Sequence, residues 1–416
     1  MLTRKNLRNL SWPILIEVAI LLTIGVAFIH SGSGILTGPE GEAIRLARAK
    51  KQLVWIALSS FVLLFTIVPS YKTFIENGFV IYGACVALLL VLLIGARLGI
   101  FPVINGVSRW IPLGFMMLQP SELMKIGLIL CLARYMQYRE THRVWFGLAV
   151  PFALTLVPMA LIMRQPDLGT ALLFLPVLFS ILFVAGSRLR HLLVIVGMAI
   201  CVAPPMFFFV LKPYQQKRII YFLKQSEVDS PAAMNELYQL IQSKLAIGSG
   251  GLAGKGWMEG TMNRLNFLPV RTTDFIFAVI GEEIGFAGLM FVLLVFFLFF
   301  ASALTIADRQ EDPSGRVLVI GTVALLATQL YINTAMTIGL MPITGLTLPF
   351  VSYGGSSLIS SFFLLGLILN VSMRPQATLA KDDFEYDDDI RRRSNERQEE
   401  REKVLWEFAI RKAREG

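Results

Sequence analysis

The sequence is short of charge, cysteine and histidine. Only 16% of its 416 residues are Asp, Glu, Lys or Arg, too few to coat a soluble domain of this length. Hydrophobic residues make up 55% and the mean hydropathy is +0.65, so the chain reads as an integral membrane protein. The three cysteines, Cys85, Cys131 and Cys201, all lie inside apolar runs, which excludes a disulfide framework and metal-ligand spacing. They are expected to pack in the core. No small-residue cleavage site follows the first apolar run, Pro13 to His30, so that run is taken as a span and not as a signal peptide. The absence of an obvious internal repeat argues against a transporter built from duplicated halves. No nucleic-acid partner is expected.

What the chain does have is apolar runs of about 20 residues, enough to cross a bilayer. Ten spans are expected, at 13–31, 51–69, 77–97, 120–137, 145–163, 168–186, 190–211, 274–304, 316–340 and 349–372. The fold class is therefore all-α, a polytopic membrane protein of about ten transmembrane helices. An even number puts both termini on one side. Arg4, Lys5, Arg8, Arg134, Arg139, Arg143, Arg188 and Arg190 fall on that side, which the excess of basic residues in short inner loops assigns to the cytoplasm. Arg45, Arg48, Lys50 and Lys51 fall on the other side, against that assignment.

The formal net charge is +9. From Lys381 onward the tail holds 10 basic and 12 acidic residues, so the remainder carries +11. Such an excess suits anionic lipid surfaces or a phosphate-bearing lipid substrate, in addition to inner-loop bias. The division expected is a transmembrane domain over 1–373 and a charged cytoplasmic tail over 374–416. Within the first, the segment 212–273 forms a large extracytoplasmic loop, and connections of that length usually carry function. Met234, Leu237, Tyr238, Ile241 and Leu245 make the stripe of an amphipathic helix, expected to lie on the outer membrane surface. IGSGGLAGKG, Ile247 to Gly256, then bends the chain back toward the bilayer.

Ionisable groups inside a membrane are costly, so each is a functional candidate. In QPSELMK, Gln119 to Lys125, Pro120 suits a first helical turn. Glu122 and Lys125 then share a helix face about 4.5 Å apart along the axis, either as a self-neutralising pair or as part of a substrate site. In RQPDLG, Arg164 to Gly169, Asp167 is placed to cap the next helix. GVSRWIPLG adds Ser108, Arg109 and Trp110, the last an interfacial anchor or a ligand contact.

The stretch NFLPVRTTDFIFAVIGEEIGF, Asn266 to Phe286, sets one carboxylate, Asp274, at the seam between the long loop and an apolar helix. It can cap that helix, which would lower its pKa, or it can serve a reaction, with Arg271 nearby. On a continuous helix Glu282 stands about 80° around from Asp274 and about 12 Å deeper, so the two do not make a glycosidase pair. Glu282 and Glu283 are expected to tie helices together. GLMPITGLTLPFVSYGGSS, Gly339 to Ser357, is too rich in proline and glycine for a continuous helix. Irregular backbone at membrane depth is tolerated where it is buried or lines a cavity.

QPSELMK, QPDLGTALLF, IQSKLAIGSGGLAGKG, FLPVRTTDFIFAVIGEEIGF and PITGLTLPFVSYGGSS, in this order, resemble the SEDS family, the shape, elongation, division and sporulation proteins. YQLIQSKLAIGSGG and the GKG after it are most similar to the elongation branch, with the division branch the near alternative. The resemblance implies a peptidoglycan glycosyltransferase in the bacterial plasma membrane. It also implies lipid II as substrate, and as partners a class B penicillin-binding protein transpeptidase and other elongation-complex membrane proteins. Carried over by motif, the acidic residue essential for activity is Asp274. Glu122, Lys125 and Asp167 match positions in the membrane cavity, and Lys244 and Arg109 match polar positions near the outer site. The chain departs from the family at Val270, where a glutamate is usual, and at Met262 and Asn263, which leaves Asp274 without an acidic neighbour there.

The implied reaction replaces an α linkage to lipid pyrophosphate by a β linkage, so it inverts, and one base on the attacking side suffices. Asp274 is the expected general base. Arg109, Lys125, Lys244 or a divalent cation, Mg2+ or Mn2+, can stabilise the departing pyrophosphate. Two other readings fit the sequence: a lipid-linked precursor flippase with Glu122 and Asp167 as proton-coupled groups, and a scaffold for the cross-linking enzyme.

Overall fold

The computed structural model of the chain describes residues 9–33, 39–103, 108–114, 116–137, 145–209, 213–223, 231–265, 267–268 and 270–374. The charged tail expected over 374–416 lies outside them apart from Arg374. So do Arg4, Lys5, Arg8, Arg139, Arg143 and Asn266, and the side chains of Met234 and Asn263.

In chain order the helices are α1 (Trp12–Gly32), α2 (Pro39–Ile67), the short α3 (Tyr71–Glu76), α4 (Gly78–Arg97), α5 (Pro120–Gln137), α6 (Ala149–Arg164), α7 (Leu168–Val184) and α8 (Leu189–Phe209). The long loop contains α9 (Pro213–Leu223), α10 (Pro231–Gly250) and α11 (Thr261–Arg264), after which come α12 (Ile276–Asp308), α13 (Pro313–Thr337) and α14 (Gly355–Met373). Ten long helices outside the loop thus match the ten expected spans among the described residues. α1, α2, α4, α12, α13 and α14 are long and apolar enough to cross a membrane, and α6, α7 and the first part of α8 are shorter apolar helices. α5 meets neither description because it carries Glu122, Lys125 and Arg134, but nearly all of it is buried against its neighbours. The only β-structure among the described residues is a hairpin of β1 (Ile111–Pro112) and β2 (Met117–Leu118), with Ile111 opposite Leu118. The chain is a polytopic, helical membrane protein.

Successive helices run back and forth, so connections gather at two ends. At one end α3 and the start of α13 are locked together. The Tyr71 hydroxyl donates to Asp312 at 2.7 Å, and the Asn370 amide donates to the Thr66 and Pro69 carbonyls, both at 2.7 Å. At the other end lie, among the described residues, those of 98–119, 165–167, 213–275 and 338–354, and all the candidate residues except Glu122 and Lys125 belong to these connections.

Three elements differ from the expectations above. α2 starts at Pro39, well before the expected Lys51, because EGEAIRLARAKK is made mostly of strong helix formers that lengthen a helix without lengthening its apolar run. In α10 the buried positions are Leu237, Leu240, Ser243, Ala246 and Gly250, while Leu245 of the expected stripe is exposed. α10 packs along α12, and small residues on this face allow the close approach common between membrane helices. A Cβ on Gly250 would overlap the Gly281 carbonyl oxygen. Finally, α12 is not continuous: Gly285 takes φ 73 and ψ −166, and residues 286–308 suffice to cross a bilayer, which needs about 20 residues. The freed backbone groups are taken up by the glycine-rich bend. Lys255 and Gly256 N–H donate to the Glu282 and Glu283 carbonyls, both at 3.0 Å, and Phe286 and Ala287 N–H donate to the Gly251 and Leu252 carbonyls at 2.8 and 3.1 Å.

Candidate active site

Asp274 lies in a tight turn, 270–275, that delivers the long loop to α12. Its N–H and that of Thr273 both donate to the Val270 carbonyl at 3.2 Å, and closing this turn puts Val270 at φ 56. A β-branched residue is strained there, and such strain is common where a side chain must be aimed. The residue preceding α12 is Phe275, and no side chain caps that end. The expectation that Asp274 caps the helix and has a lowered pKa is therefore corrected. The helix starts one residue too late for it, and the turn points its carboxylate elsewhere.

That carboxylate is half-buried and faces Gly345, where an added Cβ would lie 3.7 Å from Oδ2. Burial pushes its pKa up from 3.8 to about 6. The hydrogen bond with Thr273 and the charge of Arg109 pull it down, and Asp167 pushes it up slightly. Desolvation exceeds the other effects because one nearby guanidinium cannot replace the water removed from a carboxylate. A base near 6 is better matched to neutral pH than one near 4.

Arg109 is held by the connection between α6 and α7. Its Nε donates to the Gln165 carbonyl at 3.1 Å, one terminal nitrogen donates to the Pro166 carbonyl, and the other lies 3.9 Å from Asp167. Asp167 caps α7 as expected, accepting from Thr170 N–H at 3.3 Å and from its hydroxyl at 3.0 Å. The Gln119 amide reaches the second Asp167 oxygen at 3.4 Å. Arg109, Asp167 and Asp274 thus form one electrostatic group, although they come from three separate connections.

Glu122 and Lys125 lie deeper. They pair at 2.7 Å with side chains only 7% and 2% exposed, Ser360 donates to Glu122 and Lys125 donates to Gln329 at 3.4 Å. Gln329 in turn donates to the Thr347 carbonyl at 2.8 Å, so the pair supports the connection that faces Asp274. Lys244 sits on the exposed side of α10, beside Ser243, whose hydroxyl donates to the Thr337 carbonyl at 2.8 Å. Between α2, the hairpin and the 338–354 connection lies a cleft of ≈ 300 Å³ lined by Lys51, Trp55, Pro112, Gly114, Met116, Met117, Tyr353, Gly355 and Ser356. The expectation that the irregular stretch borders a cavity agrees with this cleft.

A family model described as a cell cycle protein, FtsW/RodA/SpoVE, matches residues 12–377. The chain belongs to that family. A relative named "Probable peptidoglycan glycosyltransferase FtsW", from Geobacter metallireducens, is 34% identical over 91% of this chain and 98% of its own. A chain from a solved peptidoglycan synthase complex, described by its coordination of polymerization and crosslinking, superposes with a TM-score of 0.73 at 31% identity, covering 87% of this chain and 97% of that one. The rod shape determining protein RodA of Thermus thermophilus superposes with a TM-score of 0.64 at 31% identity over 89% and 98%.

In this FtsW/RodA/SpoVE-family chain, Glu282 and Glu283 do more than tie helices together. Glu283 accepts from Ser31 of α1 and from Met258 N–H at 3.1 Å. Glu282 accepts from Lys255 at 2.8 Å and from Met262 N–H at 2.9 Å, so both fasten the long loop to the first part of α12. Val270 is 46% exposed and brings no second carboxylate to Asp274. Sequence reasoning missed Asn333, Gln329 and Ser352, which hold the site's backbone in place. The signal for the first two was polar amides inside an otherwise apolar span, α13, because such groups rarely stay buried in a membrane without partners.

Proposed function

We propose that this chain is a peptidoglycan glycosyltransferase that polymerises lipid II, with Asp274 as general base. The carrying observation is a half-buried carboxylate whose pKa is raised to about 6, beside Arg109 and against an irregular connection that borders a cleft. In the reaction the acceptor's 4-hydroxyl oxygen attacks the donor's anomeric carbon. The bond from that carbon to the pyrophosphate oxygen breaks, its electron pair leaves with the lipid pyrophosphate, and the hydroxyl proton passes to an Asp274 oxygen. Asp167 and Gln119 orient Arg109 toward the departing charge. Glu122 and Lys125 act as positioning residues through Gln329 and Thr347, and Lys244 contributes charge from the loop. A divalent cation, Mg2+ or Mn2+, would be held largely by the substrate phosphates and would help to neutralise the departing pyrophosphate. Among the described residues no group of three His, Cys, Asp or Glu can hold one, and hard divalent ions favour oxygen ligands.

Elongation rather than division is proposed on YQLIQSKLAIGSGG, since relatives named for both branches match at similar identity. The site end then faces outward from the bacterial plasma membrane, with both termini in the cytoplasm, and a class B penicillin-binding protein is the cross-linking partner, working among other elongation-complex membrane proteins. The solved synthase complex supports this last point. The burial of Glu122 and its ion pair with Lys125 favour a polymerase over a proton-coupled flippase. The test is purified protein with lipid II in detergent, with and without the transpeptidase. Glycan chains are expected, whereas translocation in sealed vesicles with no polymer would overturn the reading.

A further inference from the structure

The site end carries more positive charge than Asp274 and its neighbours use. Arg45, Arg48 and Lys51 recur every three residues on α2, and Gln52 and Trp55 continue the same face, within about a third of a turn of one another. That face is turned to the site. Gln52 donates to the Ser352 carbonyl at 3.5 Å, and the Trp55 ring lies against Gly355, where a Cβ would approach it to 2.7 Å. Lys51 and Trp55 line the cleft of ≈ 300 Å³ together with Tyr353 and Ser356. Farther along the face, Arg48 and Arg45 act on Arg271, three residues before Asp274. Burial first, and then these two charges, hold its pKa below the ordinary value.

Among the described residues these cations have no anion of their own: none of Arg45, Arg48 and Lys51 is in an ion pair, and the Arg45 Nε is buried without a hydrogen-bond partner. Like charges three residues apart on a helix repel, and an unpaired buried donor is costly. An anion bound beside α2 relieves both. The same residues opposed the expected orientation, since basic residues are depleted from outer loops.

A polymerase has two lipid-pyrophosphate substrates to hold, and they make different demands. The donor's pyrophosphate sits on the carbon under attack, next to the base. The acceptor's pyrophosphate lies two sugar rings from the attacking hydroxyl. Arg109 is close enough to act on Asp274, whereas the α2 cations are not among the charges that do. We infer that Arg45, Arg48 and Lys51, with the cleft beside Trp55, form a second pyrophosphate subsite that holds the acceptor lipid, while Arg109 serves the donor. This rests on the polymerase reading. The cleft is at the small end of ligand sites, a size for a pyrophosphate and its first sugar.

An anionic phospholipid headgroup offers similar chemistry, so the test includes it. Full-length protein in detergent is titrated with undecaprenyl pyrophosphate, or with phosphatidylglycerol, and bound lipids are counted by native mass spectrometry. The wild type is expected to bind two undecaprenyl pyrophosphates. Arg48→Gln/Lys51→Gln is expected to weaken one of them about tenfold, and Arg109→Gln the other; thermal melting checks the fold, and Lys51→Gln alone replaces a double variant that does not fold. A single site in the wild type, two undiminished sites in the α2 variant, or displacement by equimolar phosphatidylglycerol would overturn the inference. Polymerisation of lipid II is measured on the same samples. If the wild type binds two lipids but makes no glycan, the polymerase reading fails and the two subsites stand. If it makes glycan with the same lipid II dependence in the α2 variant, the subsite fails alone.

Discussion

The Asn333 side-chain amide donates to the main-chain carbonyl of Asp274 at 2.9 Å and to that of Leu346 at 2.6 Å. One buried residue of α13 thereby fixes the distance between the turn that carries the base and the connection that faces it. Ser352 repeats the device, accepting from Leu348 N–H at 2.8 Å and donating to the Thr273 carbonyl. Asn333→Ala leaves two carbonyls unpaired, for a loss of about 1–3 kcal/mol. A merely structural loss lowers the melting temperature only. Loss of positioning also lets water reach Asp274, and the acid limb of the pH–rate profile is expected to move from about 6 toward the ordinary carboxylate value.

The Glu122–Lys125 pair, at 2.7 Å and almost fully buried, gives a second prediction. Removing one partner strands the other charge, so Glu122→Gln or Lys125→Met is expected to destabilise the protein by about 3–5 kcal/mol, and the double variant by less than either. Chemical denaturation or thermal melting in detergent measures the cycle. Additive losses would mean that the two residues do not act as a pair.

Much of this architecture was legible in the sequence. Each apolar run became a helix, because membrane crossing demands length and hydropathy that few other segments possess. Asp167 at the start of α7 and Pro120 at the start of α5 were readable from local capping chemistry. Contacts between distant segments left no such mark. The early start of α2 was hidden because hydropathy falls at Lys51 while the helix continues through Arg45. The turn that removes Asp274 from helix capping depends on Val270 adopting φ 56, a conformation that valine itself argues against. The raised pKa of Asp274 needed the fold, since burial by the 338–354 connection outweighs anything local.

The clamp between the long loop and α12 depends on Gly285. A Cβ there would overlap the Gly254 nitrogen and lie 2.7 Å from the Leu252 carbonyl carbon, at a φ of +73 that disfavours side chains. Gly285→Ala is expected to release residues 251–262 from α12 while leaving the membrane helices in place. Limited proteolysis reads this as faster cleavage in that segment at nearly unchanged helix content by circular dichroism. Equal protection in variant and wild type would contradict the clamp.

Burial of Asp274 also has a stability signature. Its folded-state pKa, about 6, lies above the ordinary 3.8, so the folded protein binds more protons than the unfolded chain between those values. Stability contributed at this residue therefore falls as pH rises from about 4 to about 6, and above that the buried charge remains a constant cost. Asp274→Asn removes the charge, and is expected to melt at a higher temperature than the wild type at pH 7.5, with the gap shrinking at pH 4.5. A gap that is independent of pH would contradict the burial of this carboxylate.

The most direct measurement is the pH dependence of lipid II polymerisation by the wild type and by Asp274→Asn, both folded and with the transpeptidase present. A positioned general base contributes about 10²–10⁴-fold. The wild-type rate is expected to fall below pH of about 6, where Asp274 gains a proton, and the variant is expected to be at least about 10²-fold slower on the plateau above that pH and to lack the acid limb, so that the gap narrows as pH falls. Glycan made by Asp274→Asn at the wild-type rate, with the acid limb still in place, would contradict the account.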